Sequence, residues 1–178
     1  MHQHHQCATA TSIATELPPY CQGDLDGLCG PYALINALRV TLEPHRIISD
    51  DEARDLLRQM VDHAIPPKQM AASLREGITW PKLRKMAMLV AELATDKVTR
   101  VQLIEVSAPN EAERWETLSL LVEAGSPVLF HDNTIDHYTV TIGLTVSRVR
   151  LYEGDGQHWL PRVGLRLRHA MAFIVEPA

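Results

Sequence analysis

The stretch that decides the fold reads QGDLDGLCGP at residues 22–31 and continues as YALINAL at 32–38. The first segment is rich in glycine and aspartate, which favour turns, and the second is an apolar run typical of a buried helix. Pro31 suits the first turn of that helix, where its missing N–H leaves no hydrogen bond unmade. The pattern predicts that Cys29 lies at the N-terminus of a helix.

This position suits Cys29 for nucleophilic chemistry. The thiolate is the reactive form, and a free cysteine is mostly protonated at neutral pH. A helix N-terminus favours an anion through its partial positive charge and its free N–H groups. Gly27 and Gly30 flank the cysteine and leave room for a substrate backbone. Because a lone cysteine is more often a small buried apolar residue, the hypothesis also needs a base.

His137 is our candidate for that base among nine histidines, because it opens HYTVTIG at 137–143, a predicted strand. A ring at the start of a strand packed on the cysteine helix can face the sulfur. The base needs an orienting group on its other nitrogen. The next predicted strand ends at Glu153, with Asp155 two residues further on, and both carboxylates are candidates.

Gln22 is the candidate oxyanion donor. A tetrahedral intermediate carries a negative charge that needs hydrogen-bond donors. Gln22 stands upstream of Cys29 across the glycine-rich turn. Its side-chain amide and the backbone N–H of Cys29 would supply two donors.

The order Gln22, Cys29-Gly30 before a helix, His137 on a strand and an acidic residue closing the next strand resembles the papain-like cysteine peptidase superfamily. Within it, the sequence is similar to compact bacterial members, the bacteriocin-leader (C39-like) peptidase domains. The resemblance covers about 22–38 and 126–156. It implies a papain-like fold with Cys29 as nucleophile, His137 as base and Gln22 in the oxyanion hole.

Three features depart from the family pattern. The step from Gln22 to Cys29 is one residue longer than in papain, and the papain signature Cys-Gly-Ser-Cys-Trp is absent. The orienting residue would be a glutamate, where the family more often has asparagine or aspartate. The separation from His137 to Glu153 (153 − 137 = 16) agrees with the histidine-to-asparagine step of papain-like enzymes and favours Glu153 over Asp155.

Elsewhere the chain predicts an α+β fold, with a helical N-terminal half packed on a C-terminal antiparallel sheet. Ser49 with Glu52 forms an N-cap signal for the helix that follows. We expect residues 1–17 to be a flexible tail and 18–178 to be a single domain, with substrate specificity in the helical region 45–95. The expected helices cover about 53–63, 68–76, 80–93 and 110–124, and the expected strands 98–106, 127–130, 138–144, 148–152 and 172–175.

Composition narrows the partners to a peptide or protein substrate. The net charge of −5 argues against a nucleic-acid binder, and no apolar run approaches the length of a membrane span. The N-terminus lacks the basic start and apolar stretch of a signal peptide. Three cysteines, Cys7, Cys21 and Cys29, cannot form a closed disulfide framework, which favours a reducing cytoplasm. Delivery elsewhere would need a route independent of a signal peptide, and the oligomeric state stays open.

No metal or cofactor is expected. Three groups of candidate ligands are His2, His4 and His5; Asp24 and Asp26; and His131, Asp132, Asp136 and His137. The first group lies in the tail, the second lacks the later acidic ligand of a calcium loop, and the third lacks a second cluster at zinc spacing. We interpret His131 and Asp132 as solvated loop residues beside the cleft.

The sequence thus predicts a cysteine hydrolase that cleaves an amide or isopeptide bond through a thioester acyl-enzyme. Two alternatives remain open at this point. One is a transglutaminase-like acyltransferase that uses the same residues, in which an amine replaces water. The other is a catalytically silent module that binds a peptide in the cleft.

A thiol-labelling experiment tests the activation of Cys29. Low-dose iodoacetamide at neutral pH should modify Cys29 before Cys7 and Cys21, because only Cys29 combines a helix N-terminus with an imidazole partner. Mass mapping of the alkylated peptides over time gives the order. Equal or slower labelling of Cys29 in folded protein would contradict the prediction.

Overall fold

The computed structural model describes residues 11–22, 27–134, 136–154 and 156–177, and within them the fold is α+β, as the sequence predicts. No helix in this described part is long and apolar enough to cross a membrane. The helices are α1 (Cys29–Leu42), α2 (Asp50–Ala64), α3 (Met70–Glu76), α4 (Trp80–Ala94) and α5 (Glu111–Glu123), with a 3₁₀ turn at Pro67–Gln69. The strands are β1 (Thr11–Ser12), β2 (Thr99–Glu105), β3 (Val128–Asp132), β4 (His137–Leu144), β5 (Arg148–Glu153), β6 (Gly156–Pro161) and β7 (Leu167–Pro177).

The strands form one antiparallel sheet in the order β2-β7-β3-β4-β5-β6, and β1 adds a short pairing to β4. Helices α1, α2 and α4 pack over one face, and α5 covers the other with Trp115, Leu118 and Val122. Strands β4 and β5 are joined by a short turn and lie side by side. The start of β4 and the end of β5 therefore meet at the same end of the sheet.

Helix α1 is buried along nearly its whole length. Leu34, Leu38 and Leu42 have no exposed surface, and α1 packs on the sheet and on two other helices. A helix that is apolar on every face belongs to a core rather than to a surface. This burial fixes the helix, and with it Cys29 at its first position.

The predicted cap at Ser49 is confirmed, since its Oγ accepts a hydrogen bond from the Glu52 N–H at 3.2 Å. The Glu52 carboxylate does not return to the backbone of Ser49. It accepts two hydrogen bonds from Arg46 Nη1, at 2.7 and 2.9 Å. The pair therefore ties the loop before α2 to its first turn.

Residues 11–17 belong to the stretch 1–17 that the sequence predicts to be a flexible tail. Residues 11–22, which we call the N-terminal strap, run along the sheet and then across α1. Thr11 and Ser12 pair with Leu144 and Gly143 near the end of β4. This part of β4 lies beyond Thr141, the last residue that pairs with β3. Local sequence gave no sign of this pairing, because a short backbone contact with a distant strand needs no periodic pattern. Residues 1–10, including His2, His4, His5 and Cys7, lie outside the described residues.

Hydrogen bonds hold the rest of the strap. The Tyr152 hydroxyl donates to the Leu17 carbonyl, and Arg39 Nη1 donates to the Pro18 carbonyl, each at 2.8 Å. Asn36 on α1 makes two bonds to the backbone of Tyr20, accepting from its N–H at 2.8 Å and donating to its carbonyl at 3.1 Å. Gln22 is thereby carried to the N-terminal end of α1.

Replacing Asn36 with alanine should destabilise the fold. The change removes both bonds to Tyr20 from a side chain that is 3% exposed. We expect a loss of about 1–3 kcal/mol in the free energy of unfolding, the usual effect of leaving such groups unpaired. Urea denaturation gives the value, with the exposed Glu92→Ala as control. Equal stability of the two variants would show that the strap is not held through Asn36.

Candidate active site

Cys29 is the first residue of α1, as predicted, and its side chain is half-buried. The preceding residue, Leu28, caps the helix without a side-chain hydrogen bond, and the first turn carries no acidic residue. The positive end of the helix is thus not neutralised by a carboxylate of its own first turn. Gly27 is required just before it, because a Cβ there would lie 2.7 Å from the backbone nitrogen of Gly77.

His137 lies between Cys29 and Glu153. It opens β4, and Glu153 closes the neighbouring β5, so the fold brings both to the start of α1. His137 Nε2 is 3.5 Å from Glu153 Oε1, and the imidazole also hydrogen bonds with the Cys29 side chain. Because Nε2 faces the carboxylate, Nδ1 is the nitrogen left for the thiol. The three side chains form a continuous chain of contacts.

The contacts of His137 strongly favour its protonated form. The hydrogen bond with Cys29, followed by that with Glu153, raises the pKa of His137 from 6.5 to about 10, and partial burial opposes the shift only in part. At neutral pH the ring is therefore an imidazolium. A protonated base beside a sulfur is the arrangement that stabilises a thiolate.

Glu153 is ionised in the same site. Burial alone would raise its pKa, but the approach of His137 and of the Thr139 hydroxyl, with the electrostatic attraction of His137 and His158, holds the pKa of Glu153 below its usual range. Thr139 follows His137 by two residues on β4 and lies on the same face of the strand. Asp155, the alternative orienting residue, lies outside the described residues, as do Asp24 and Asp26.

Gln22 lines the same cavity as Cys29, His137 and Glu153, and the cavity measures about 380 Å³. The neighbouring Cys21 anchors the end of the strap, since its Sγ donates to the Gly154 carbonyl at 2.7 Å. The structure therefore brings together all four residues that the sequence nominates.

A second cavity, of about 460 Å³, begins on the other side of Cys29. Trp80, the first residue of α4, forms part of its wall and stacks on His169, with ring centroids 4.8 Å apart. Tyr138 stacks on the same indole at 6.3 Å. Cys29 thus lies where two cavities meet, which is the arrangement expected of a residue in the middle of an extended cleft.

The interpretation of His131 and Asp132 as solvated loop residues is wrong. Both lie on β3, 7% and 2% exposed, and Asp132 Oδ1 accepts from the Thr134 and Arg166 N–H groups. His131 Nε2 contacts the Asp136 carboxylate at 2.9 Å. Asp136 has a φ of 51°, in the left-handed region, so His131 helps hold the tight turn that leads into His137.

Sequence reasoning also missed Thr139, Trp80 and His158 as neighbours of the site. Each reaches it through the fold rather than through a local motif, so only the placement of its strand or helix could have revealed it. Within the described residues, no group of three or more histidine, cysteine, aspartate or glutamate side chains is placed to hold a metal ion.

Comparisons with known proteins agree with this geometry at the level of the fold. Searches against models of protein families and against curated proteins gave no match. Among solved structures, a C39-like peptidase from Bacillus anthracis superposes with a TM-score of 0.55 at 14% identity, covering 94% of this chain and 98% of that one. The fold is that of a C39-like peptidase domain.

The peptidase domain of Streptococcus ComA, a bifunctional ABC transporter involved in quorum sensing, gives a similar result. Its TM-score is 0.52 at 14% identity, and the match covers 94% of this chain and 99% of that domain. The described part of the chain therefore corresponds to nearly the whole of a C39-like domain, and the papain-like, C39-like resemblance is confirmed for the fold.

Changing Glu153 to glutamine should lower the pKa of His137. The substitution keeps a group of similar size but removes the negative charge that favours the imidazolium, so we expect a fall of about one unit or more from the value near 10. An NMR titration of His137 gives the pKa. The exposed Glu116→Gln on α5 is the control. An unchanged pKa in the Glu153 variant would show that the carboxylate does not act on the ring.

Proposed function

We propose that this protein is a cysteine peptidase that cleaves an amide or isopeptide bond through a thioester acyl-enzyme. The observation that carries the proposal is the chain of contacts Cys29–His137–Glu153 at the N-terminus of a buried helix. The C39-like fold supports it, because two structures that share the fold are named as peptidases.

In the first half of the reaction, the Cys29 thiolate attacks the carbonyl carbon of the substrate. The negative charge that develops on the carbonyl oxygen is stabilised by the Cys29 backbone N–H and the Gln22 amide. The His137 imidazolium then donates its proton to the leaving amine, the C–N bond breaks, and a thioester remains on Cys29.

In the second half, neutral His137 accepts a proton from water, which attacks the thioester. The C–S bond breaks, the carboxylic acid leaves, and the imidazolium and thiolate are restored. Glu153 keeps the ring in position during both halves and stabilises its charge, without itself becoming protonated. The cycle consumes one water and requires no cofactor.

The substrate is a peptide or protein segment that crosses Cys29 from one cavity to the other. Residues 76–81 line much of the second cavity. Within the range 45–95, where the sequence places substrate specificity, the loop before α4 and Trp80 are therefore the residues that would contact the substrate. Trp80 and Tyr138 give that cavity aromatic surface, and Glu76, Asp136 and Arg168 give it charged groups. We propose the cytoplasm as the place of action.

The silent-module alternative is disfavoured because a module that only binds peptide has no use for a protonated His137 hydrogen bonded to a half-buried cysteine. Acyl transfer uses the same residues and differs only in the nucleophile that enters second. Adding a primary amine to the assay separates the two, since an acyltransferase forms an amide where a peptidase releases an acid.

The test of the proposal is cleavage of a degenerate peptide library, followed by mass spectrometry of the products. Cys29→Ala and His137→Ala should each abolish cleavage, because covalent catalysis needs both groups. Gln22→Ala should lower turnover about 100- to 1000-fold, the usual effect of removing one oxyanion donor. Glu153→Gln should have a milder effect, since an amide still positions the ring, and the four effects should not add.

Two results would change these assignments. Cleavage that persists in folded Cys29→Ala protein would exclude covalent catalysis by this residue. Cleavage that persists in Glu153→Ala but disappears in Asp155→Ala would leave the mechanism intact and assign the orienting role to Asp155.

A further inference from the structure

The carboxylate of Glu153 contacts two imidazoles rather than one. Its Oε1 faces His137 Nε2 at 3.5 Å, and its Oε2 lies 3.8 Å from the Nε2 of His158. The side chains of Glu153 and His158 are 25% and 33% exposed, so solvent has limited access to both. The mechanism described above accounts for the first contact and gives no role to the second.

The register between β5 and β6 produces this second contact. Leu151 pairs with His158, and Glu153 pairs with Gly156. Residues directly opposite each other in an antiparallel pair share a face, so His158 stands diagonally across from Glu153 on the same side of the sheet. Gly156 has no side chain that could come between them. The imidazole therefore reaches the outer oxygen of the carboxylate.

We propose that His158 is a positioning residue, which holds Oε2 of Glu153 so that Oε1 stays directed at His137. The inference rests on the proposed function and extends the contact chain to Cys29–His137–Glu153–His158. His158 is not among the residues that line either cavity at Cys29. It therefore acts through Glu153 and not on the substrate.

The groups that face Glu153 come from both neighbouring strands. His137 and Thr139 approach from β4 and His158 from β6, and all three favour the ionised carboxylate against the effect of burial. On the side of the strap, the Cys21 thiol donates to the Gly154 carbonyl. Removing His158 raises the pKa of Glu153. In such a variant the Glu153 carboxylate therefore becomes protonated at a higher pH than in the wild type. His137 loses its charged partner at that higher pH.

The test uses alkylation of Cys29 by iodoacetamide as a function of pH, measured by mass mapping in His158→Ala, His158→Gln and the exposed control His63→Ala. His158→Ala should slow alkylation about 3- to 10-fold near about pH 5 and move the acidic limb to higher pH, because the imidazolium is less well supported. His158→Gln should restore most of the rate, since its amide N–H can still reach Oε2. His63→Ala should match the wild type.

A double-mutant cycle separates positioning from a general structural effect. In the Glu153→Ala background, His158→Ala should cause no further loss, because the group through which it acts is gone. When a peptide that the protein cleaves is known, His158→Ala alone should lower kcat about tenfold and leave KM unchanged. This loss is smaller than the loss of kcat when a catalytic histidine is misoriented.

Three results would overturn the proposal. The first is an alkylation rate and a kcat in His158→Ala that equal those of the His63→Ala control. The second is a loss of alkylation rate from His158→Ala that is as large in the Glu153→Ala background as in the wild type. The third is a raised KM at constant kcat. The alkylation experiment needs no substrate, so it is independent of the proposed function. A pH-dependent His158 effect without any peptide cleavage would refute the peptidase while leaving the positioning role in place.

Discussion

The packing of α1 against β4 is the contact on which both the core and the site depend. Helix α1 is buried because its apolar residues face the sheet on one side and α2 and α4 on the others. The helix begins at Cys29, and β4 begins at His137, so the same contact that excludes water from the core brings the thiol to the imidazole. Gly30 makes the close approach possible, since a Cβ there would lie 2.8 Å from Leu83 and 3.2 Å from Tyr138.

The site keeps two opposite charges side by side in a partly buried place. The positive ring of His137 stands between the sulfur of Cys29 and the carboxylate of Glu153. Hydrogen bonds with both raise the pKa of the ring, and the ring in turn lowers the pKa of Glu153. Burial alone would neutralise the ring and the carboxylate, because a low-dielectric environment disfavours isolated charge. Because the pKa of His137 is higher in the folded protein than in the unfolded chain, protonation of this residue stabilises the fold. That contribution to stability is complete below about pH 6.5 and is lost as the pH rises through about 10.

Local sequence was sufficient for the parts of the fold that depend on local physics. The helix at Cys29 followed from a turn, a proline and an apolar run, and the cap at Ser49 followed from its side chain. The strap and β6 were missed because their pairing partners lie far along the chain or carry no alternating pattern. His131 was misplaced because its burial comes from the fold. It lies on β3, between β7 and β4, and the Tyr138 ring lies 4.8 Å from its own ring at an angle of 47°.

The glutamate at position 153 gives a physical reason for two neighbours, Thr139 and His158, that the sequence alone did not identify. A glutamate has one more rotatable bond than the aspartate or asparagine that resembling enzymes use, so fixing it in one orientation costs more conformational entropy. Here Thr139 lies near the carboxylate on β4, and the His158 ring on β6 lies 3.8 Å from its outer oxygen. In the role that we propose for it, His158 restricts a side chain that would otherwise sample several rotamers. On this proposal, the longer reach from the end of β5 to His137 depends on the pairing of β6 beside β5, which brings His158 to the carboxylate.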